Sequence, residues 1–235
     1  MFSVRLIVVL FFFNNVFCLK RQLCETDYEC LMNAVIEHVY PRFVAGGAGV
    51  ESSDPLHIDA IIADLPTLRY ELFNASMTGL KDCEFIKLEN KHISGYTLFN
   101  YAISCPILTL TAQYGLNGII DSTPVEGKGE CRIVYEGYEI SIDGKREKVK
   151  DKSGIEHINI MEYTVVPDLT KGTIKDPEYT NLVFSNDDSC KHRVRIIEEM
   201  TRDIVMDVFM NKYIQNLKNF FSRVPVEDLH YKYVL

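Results

Sequence analysis

Hydrophobic and polar positions along the chain fall into three regimes. Residues 27–43 carry a helical stripe. Leu31, Val35, Val39 and Phe43 recur at four-residue steps, with Met32 and Ile36 beside them. Thr26 or Asp27 can cap this helix, Pro41 is expected to kink its last turn, and Gly46-Gly47-Ala48-Gly49 ends it. From residue 56 the pattern turns to short extended runs. Residues 56–65, 68–77, 83–88, 97–104, 108–114 and 116–121 are predicted strands, punctuated by glycine and proline at about 8–12-residue spacing, the mark of antiparallel sheet. Residues 131–142 continue the series with a phase slip. Ile133 and Tyr135 fall on one face, and Tyr138, Ile140 and Ile142 on the other. One extra residue at Glu136-Gly137 restores a common face, so a β-bulge is predicted there. Asp143-Gly144 reads as a turn, residues 145–152 as a charged, solvated segment, and residues 155–166 as a returning strand.

The third regime is helical again. No glycine or proline occurs from Ser189 to Phe221, and Asp187, Asp188 and Ser189 supply caps and favourable charge at its start. Such a helix reaches about 50 Å. Its apolar stripe drifts: Val194, Ile197, Met200, Ile204 and Val208 share one side, and Met206, Phe209, Tyr213, Leu217 and Phe220 another. Between them, residues 205–210 are apolar except for Asp207, the pattern of a helix buried on most sides. Glu198, Glu199 and Asp203 read as its wet face. Two shorter helices broken near Asn211 are the alternative. A sheet this long must curl. Curling it round the last helix supplies the burial that helix needs, which gives an α+β fold.

The first residues read as an address. Arg5 precedes eight unbroken apolar residues, Leu6 to Phe13, and Val16-Phe17-Cys18 offers a cleavage site after Cys18. Residues 1–18 are therefore expected to be a signal peptide and residues 19–235 a single secreted domain. Secretion gives the remaining six cysteines, Cys24, Cys30, Cys83, Cys105, Cys131 and Cys190, an oxidising setting. Cys24 and Cys30 are close enough to close a small loop. Cys83 and Cys105 lie symmetrically about residue 94, so a hairpin turning through residues 92–96 would set them opposite. Cys131 and Cys190 remain. Asn74-Ala75-Ser76 is the one Asn-x-Ser/Thr sequon, which makes Asn74 a candidate glycan site.

Composition narrows the function. The chain has 25 Lys and Arg against 33 Asp and Glu, a net charge of −8, so it lacks the basic face that nucleic acid demands. No 18-residue apolar run offers a membrane span. Gly-x-Ser-x-Gly, His-Glu-x-x-His and Cys-x-x-Cys are absent, and Gly127-Lys128-Gly129 lacks the rest of a phosphate loop. Neither a metal nor another cofactor is expected.

The motifs, in order, resemble one family. Cys24 and Cys30 before an amphipathic helix, Asp54-Pro55-Leu56 with Ile58, and Thr78-Gly79-Leu80 open the series. Pro106, Tyr114, Gly118-Ile119-Ile120, Pro124 and Gly127-x-Gly129 follow, then Asn181-Leu182-Val183-Phe184 and Val224-Pro225-Val226-Glu227-Asp228-Leu229. This set resembles the takeout and haemolymph juvenile-hormone-binding proteins of insects. The resemblance implies a TULIP-like fold, a long C-terminal helix wrapped by a strongly curved antiparallel sheet around an apolar tunnel. It also implies a secreted carrier of a hydrophobic small molecule such as a juvenile-hormone-like terpenoid, a fatty acid or another lipid. A bridge from a strand to the last helix occurs in hormone-carrying members, which favours Cys131–Cys190. Cys83 and Cys105 look additional to the family's set, and Gly46-Gly47-Ala48 replaces its proline-containing linker. The expected protein is a monomer and not an enzyme. Its expected ligand contacts are Val205, Met206, Phe209 and Phe220 on the helix, with hydroxyls from Tyr114, Tyr135 or Tyr138. A secreted lipid hydrolase and a protein recognising lipids of membrane or microbial surfaces are the rival readings.

Overall fold

The computed structural model describes residues 20–23, 28–168, 172–185, 190–229 and 231–234. The expected signal peptide, Cys24 and the expected helix caps Thr26, Asp27, Asp187, Asp188 and Ser189 lie outside these residues.

The first helical stripe forms α1 (Tyr28–Ala34) and α2 (Tyr40–Val44), joined without a break by a π-helical turn, Val35–Val39. The π turn is the form the expected kink takes. Tyr40 N–H reaches back five residues to the Val35 carbonyl. Pro41 has no N–H, and its ring crowds the carbonyl four residues earlier, so the widened turn ends where the proline begins.

Two long strands are the spine of the sheet: β5 (Tyr96–Ile120, 25 residues) and β6 (Thr123–Lys150, 28 residues), paired along their length. Three expected strands thus merge into β5. One edge of β5 pairs with β3 (Leu68–Thr78) and β4 (Glu84–Ile93), and β2 (Leu56–Asp64) flanks β3. The far edge of β6 carries β7 (Glu156–Asp168), β8 (Thr173–Tyr179) and β9 (Leu182–Phe184). A separate ribbon pairs β1 (Lys20–Leu23) with β10 (Tyr231–Val234). At about 3.4 Å per residue each spine strand would exceed 80 Å if flat, and the sheet instead curls into a half-barrel.

The curl comes from local irregularities. The phase slip at Glu136-Gly137 is present, with Tyr135 and Tyr138 both buried and Gly137 at φ 67°. It is not the one-sided bulge expected. On β5, burial passes from Cys105 to Leu108 at the facing residues, and pairing stays in step, Cys105 with Tyr138 and Ile107 with Glu136. Both strands bend together. Asp143-Gly144 is not a turn either, since β6 runs through it. The chain reverses at Asp151–Ile155, where the Asp151 carboxylate accepts from Ser153 N–H (2.8 Å) and Ile155 N–H (2.9 Å).

Cys83 and Cys105 form a disulfide, S–S 2.05 Å. The β4–β5 turn lies on Ser94-Gly95, and one extra residue at Ile86 shifts the register between Phe85 and Lys87. That shift brings the two cysteines opposite. Cys30 is disulfide-bonded. Cys131 is a free, buried thiol, so the Cys131–Cys190 bridge is not formed. The thiol lies among Tyr70, the Ala112 backbone and Glu198. Glu198 stands eight residues from Cys190, roughly 12 Å along a helix, beyond the span of a disulfide.

The last helix is unbroken: α3 (Cys190–Arg223) has 34 residues and lies in the trough of the sheet, against β2, β5, β7 and β8. Met206, Phe209, Tyr213, Leu217 and Phe220 are all buried, whereas Met200 is 36% exposed. Glu198, expected on the wet face, is 1% exposed. Asn216 pins α3 to the preceding loop, donating to Ser53 Oγ at 3.2 Å. Asp54 of the Asp-Pro-Leu motif accepts from Gly79 N–H (3.1 Å) and Lys81 N–H (2.8 Å). Gly79 is required there: its φ is 107°, and a Cβ would stand 2.1 Å from the Ile107 carbonyl oxygen.

Candidate ligand cavity

Three elements meet around an apolar cavity of about 70 Å³. Leu31, Val35, Val39, Tyr40 and Phe43 close it from the α1–α2 side, the two valines coming from the π turn. Tyr213, Leu217 and Phe221 of α3 form the opposite wall. The sheet adds Phe85, Leu88, Phe99, Tyr101 and Ile160, and Leu229 lies beyond α3. Aromatic edges lock the wall: Tyr40 meets Phe85 at 5.0 Å and 87°, and Phe43 meets Tyr213 at 5.2 Å and 83°.

The polar groups of the wall are few. Tyr40 donates to the Leu80 carbonyl at 2.5 Å, and Tyr101 donates to the Tyr213 hydroxyl at 3.4 Å. Burial pushes all three phenols above their ordinary range, so they stay protonated. Asn90 and Arg146 complete the lining.

A second polar cluster lies beneath the first half of α3. Tyr179 donates to the buried Glu198 carboxyl, and the Tyr70 and Tyr179 hydroxyls lie 2.8 Å apart. Desolvation pushes Glu198 up to about 7 and the Cys131 thiol up to about 12. A thiol held that high is protonated and a poor nucleophile. Among the described residues, no group of three or more His, Cys, Asp or Glu comes together to hold a metal ion, and no helix is long and apolar enough to cross a membrane.

With this geometry in place, comparison with known proteins is decisive for kinship. The sequence matches the family described as haemolymph juvenile hormone binding protein over residues 7–230. The chain belongs to the haemolymph juvenile hormone binding protein family. Its fold is similar to the crystal structure of Takeout 1 from Epiphyas postvittana, with TM-score 0.71 and 24% identity over 86% of this chain and 95% of that one. A lipopolysaccharide binding protein is also similar, with TM-score 0.45 and 12% identity over 86% of this chain and 39% of that one. No curated protein matches.

In this haemolymph juvenile hormone binding protein family member, the residues chosen from sequence do not line the cavity. Val205, Met206, Phe209 and Phe220 are buried in the core, as are Tyr114 and Tyr138. Tyr114 is engaged, donating to the Thr180 carbonyl at 2.7 Å. The Tyr135 and Tyr138 hydroxyls are buried with no hydrogen-bond partner. Asn74 is exposed at φ 49°, at the register shift between Phe73 and Ser76 of β3. None of the cavity-lining residues is among the ligand contacts expected from sequence, Tyr213, Leu217 and Phe221 of α3, one turn and more beyond Phe209, and Arg146 of β6 included. The helical stripe contained the first two. Arg146 falls within residues 145–152, the run expected to be charged and solvated. Its inward parity with Ile140 and Ile142 was the available signal.

Proposed function

We propose that this protein is a secreted carrier that holds a hydrophobic small molecule between the α1–α2 segment and α3. The cavity carries this reading: its wall is apolar, and its phenols are spent on internal hydrogen bonds. Membership of a family named for binding juvenile hormone in haemolymph supports it, as does the signal-like segment at residues 1–18. Binding rests on desolvation, worth roughly 25 cal/mol per Å² of apolar surface removed from water.

A cavity of about 70 Å³ is far below the ~300–1,000 Å³ of drug-sized sites. Uptake therefore widens it, and the α1–α2 segment is the wall that yields. Its helices are short and interrupted by the π turn, whereas α3 packs against β2, β5, β7 and β8. Only a ligand longer than a dodecanoate chain, widening the space along α3, next reaches Met206 and Phe209, and the unpartnered Tyr138 hydroxyl lies beyond. Asn74 is exposed where a glycan would point to solvent.

The test is organic extraction of protein purified natively from its secreting host, followed by mass spectrometry. The expected result is a discrete apolar compound near one equivalent. Extracts that match a blank, together with no uptake of lipid by the purified protein, would refute the reading.

A further inference from the structure

Along the inward face of β6 the sequence Tyr138, Ile140, Ile142 is buried, and the next two inward positions are Gly144 and Arg146. At Gly144 the missing side chain makes room for Phe99: a Cβ there would stand 2.4 Å from that ring. The Arg146 guanidinium lies over the same ring, 5.9 Å from its centroid. Opposite, β7 carries one extra residue, Lys145 pairing with Glu162 and Arg146 with Ile160. Strand, glycine and bulge together hold a cation against the apolar cavity.

The charge has no counterpart among the described residues. Arg146 Nη2 donates to Asn90 Oδ1 at 3.1 Å, its one polar side-chain partner among the described residues. No carboxylate among them lies within ion-pair reach of it. Burial lowers its pKa to about 10, with no acid to raise it, so it is still a cation at neutral pH. A guanidinium has five N–H donors in a fixed fork that fits a carboxylate. Among the phenols of the wall, Tyr40 and Tyr101 donate within the protein, which leaves the Arg146 guanidinium as the charged donor of the lining.

Resting on the carrier reading above, we infer that the ligand is a long-chain carboxylate, its head held by Arg146 beside Asn90 and its chain lying between Leu217 and Val39. A single carboxylate supplies the missing negative charge, and an unbranched chain is the shape that a narrow apolar space admits when it widens.

The test uses delipidated full-length mature protein loaded with a neutral fluorescent probe, N-phenyl-1-naphthylamine. Dodecanoate and methyl dodecanoate compete for the probe on wild type, Arg146→Gln and Arg146→Lys, each checked for native circular dichroism. In wild type the acid should displace the probe at about tenfold lower concentration than the ester. Arg146→Gln should erase that preference by weakening the acid alone, and Arg146→Lys should keep part of it. Equal competition by acid and ester in wild type would overturn the inference, as would a preference that survives Arg146→Gln. In both cases probe binding would leave the carrier reading standing. Failure of probe and both competitors to bind would sink the two together.

Discussion

Tyr179 on β8 donates its hydroxyl proton to Glu198 on α3, tying sheet to helix through a carboxyl that is 1% exposed. Desolvation raises that carboxyl from 4.5 to about 7, despite the hydrogen bond, which lowers it. Below the unfolded value the folded and unfolded states both hold the proton. Between about 4.5 and about 7 the folded state keeps a proton that the unfolded state has released, so stability falls as pH rises through this window. The loss is about 3 kcal/mol. Urea midpoints measured from pH 4.5 to 8 should fall in wild type more steeply than in Glu198→Gln, whose amide does not titrate. Parallel curves for the two proteins would contradict this assignment.

The free thiol makes a second expectation. Cys131 is buried and protonated, beyond the reach of the start of α3. Native alkylation followed by non-reducing peptide mapping should recover Cys83 linked to Cys105 and Cys131 unmodified. Denaturation before alkylation should label Cys131. A peptide joining Cys131 to Cys190 would show that the sheet and helix sit in a different register from the one described.

Phe209 separates core from cavity. Its side chain is fully buried and does not line the cavity. Phe209→Ala should therefore cost about 3–5 kcal/mol of stability while dodecanoate affinity changes less than threefold. Chemical denaturation and probe displacement on the same preparation check both halves. A small stability loss with a large loss of affinity would place the ligand against Phe209 instead.

Much of this fold was legible because its signals are periodic. The 34 residues of α3 contain no glycine or proline, and its apolar positions keep helical spacing even as the stripe drifts. The Cys83–Cys105 bridge was legible by symmetry, although the turn lies half a residue from the assumed centre and the Ile86 bulge restores the match. Local chemistry misled where tertiary context overrode it. Asp143-Gly144 has turn composition, yet its glycine serves the Phe99 ring inside a continuous strand. Glu198 has the charge of a surface residue, yet Tyr179 and the curl of the sheet enclose it. The cavity was the least legible feature. It lies where residues from both helical segments and four strands converge, and no local spacing encodes that meeting.

The carrier account stands or falls on whether ligand occupies the space between Val39 and Leu217. Val39→Phe sets a larger ring in that space from the π turn and, by filling it, should leave the thermal midpoint unchanged or raise it. Titration of delipidated wild type and Val39→Phe with N-phenyl-1-naphthylamine is the direct measurement. The account expects saturable binding near one site per chain in wild type and affinity at least about tenfold weaker in the filled variant. Equal binding by both proteins, or none by wild type, would contradict it.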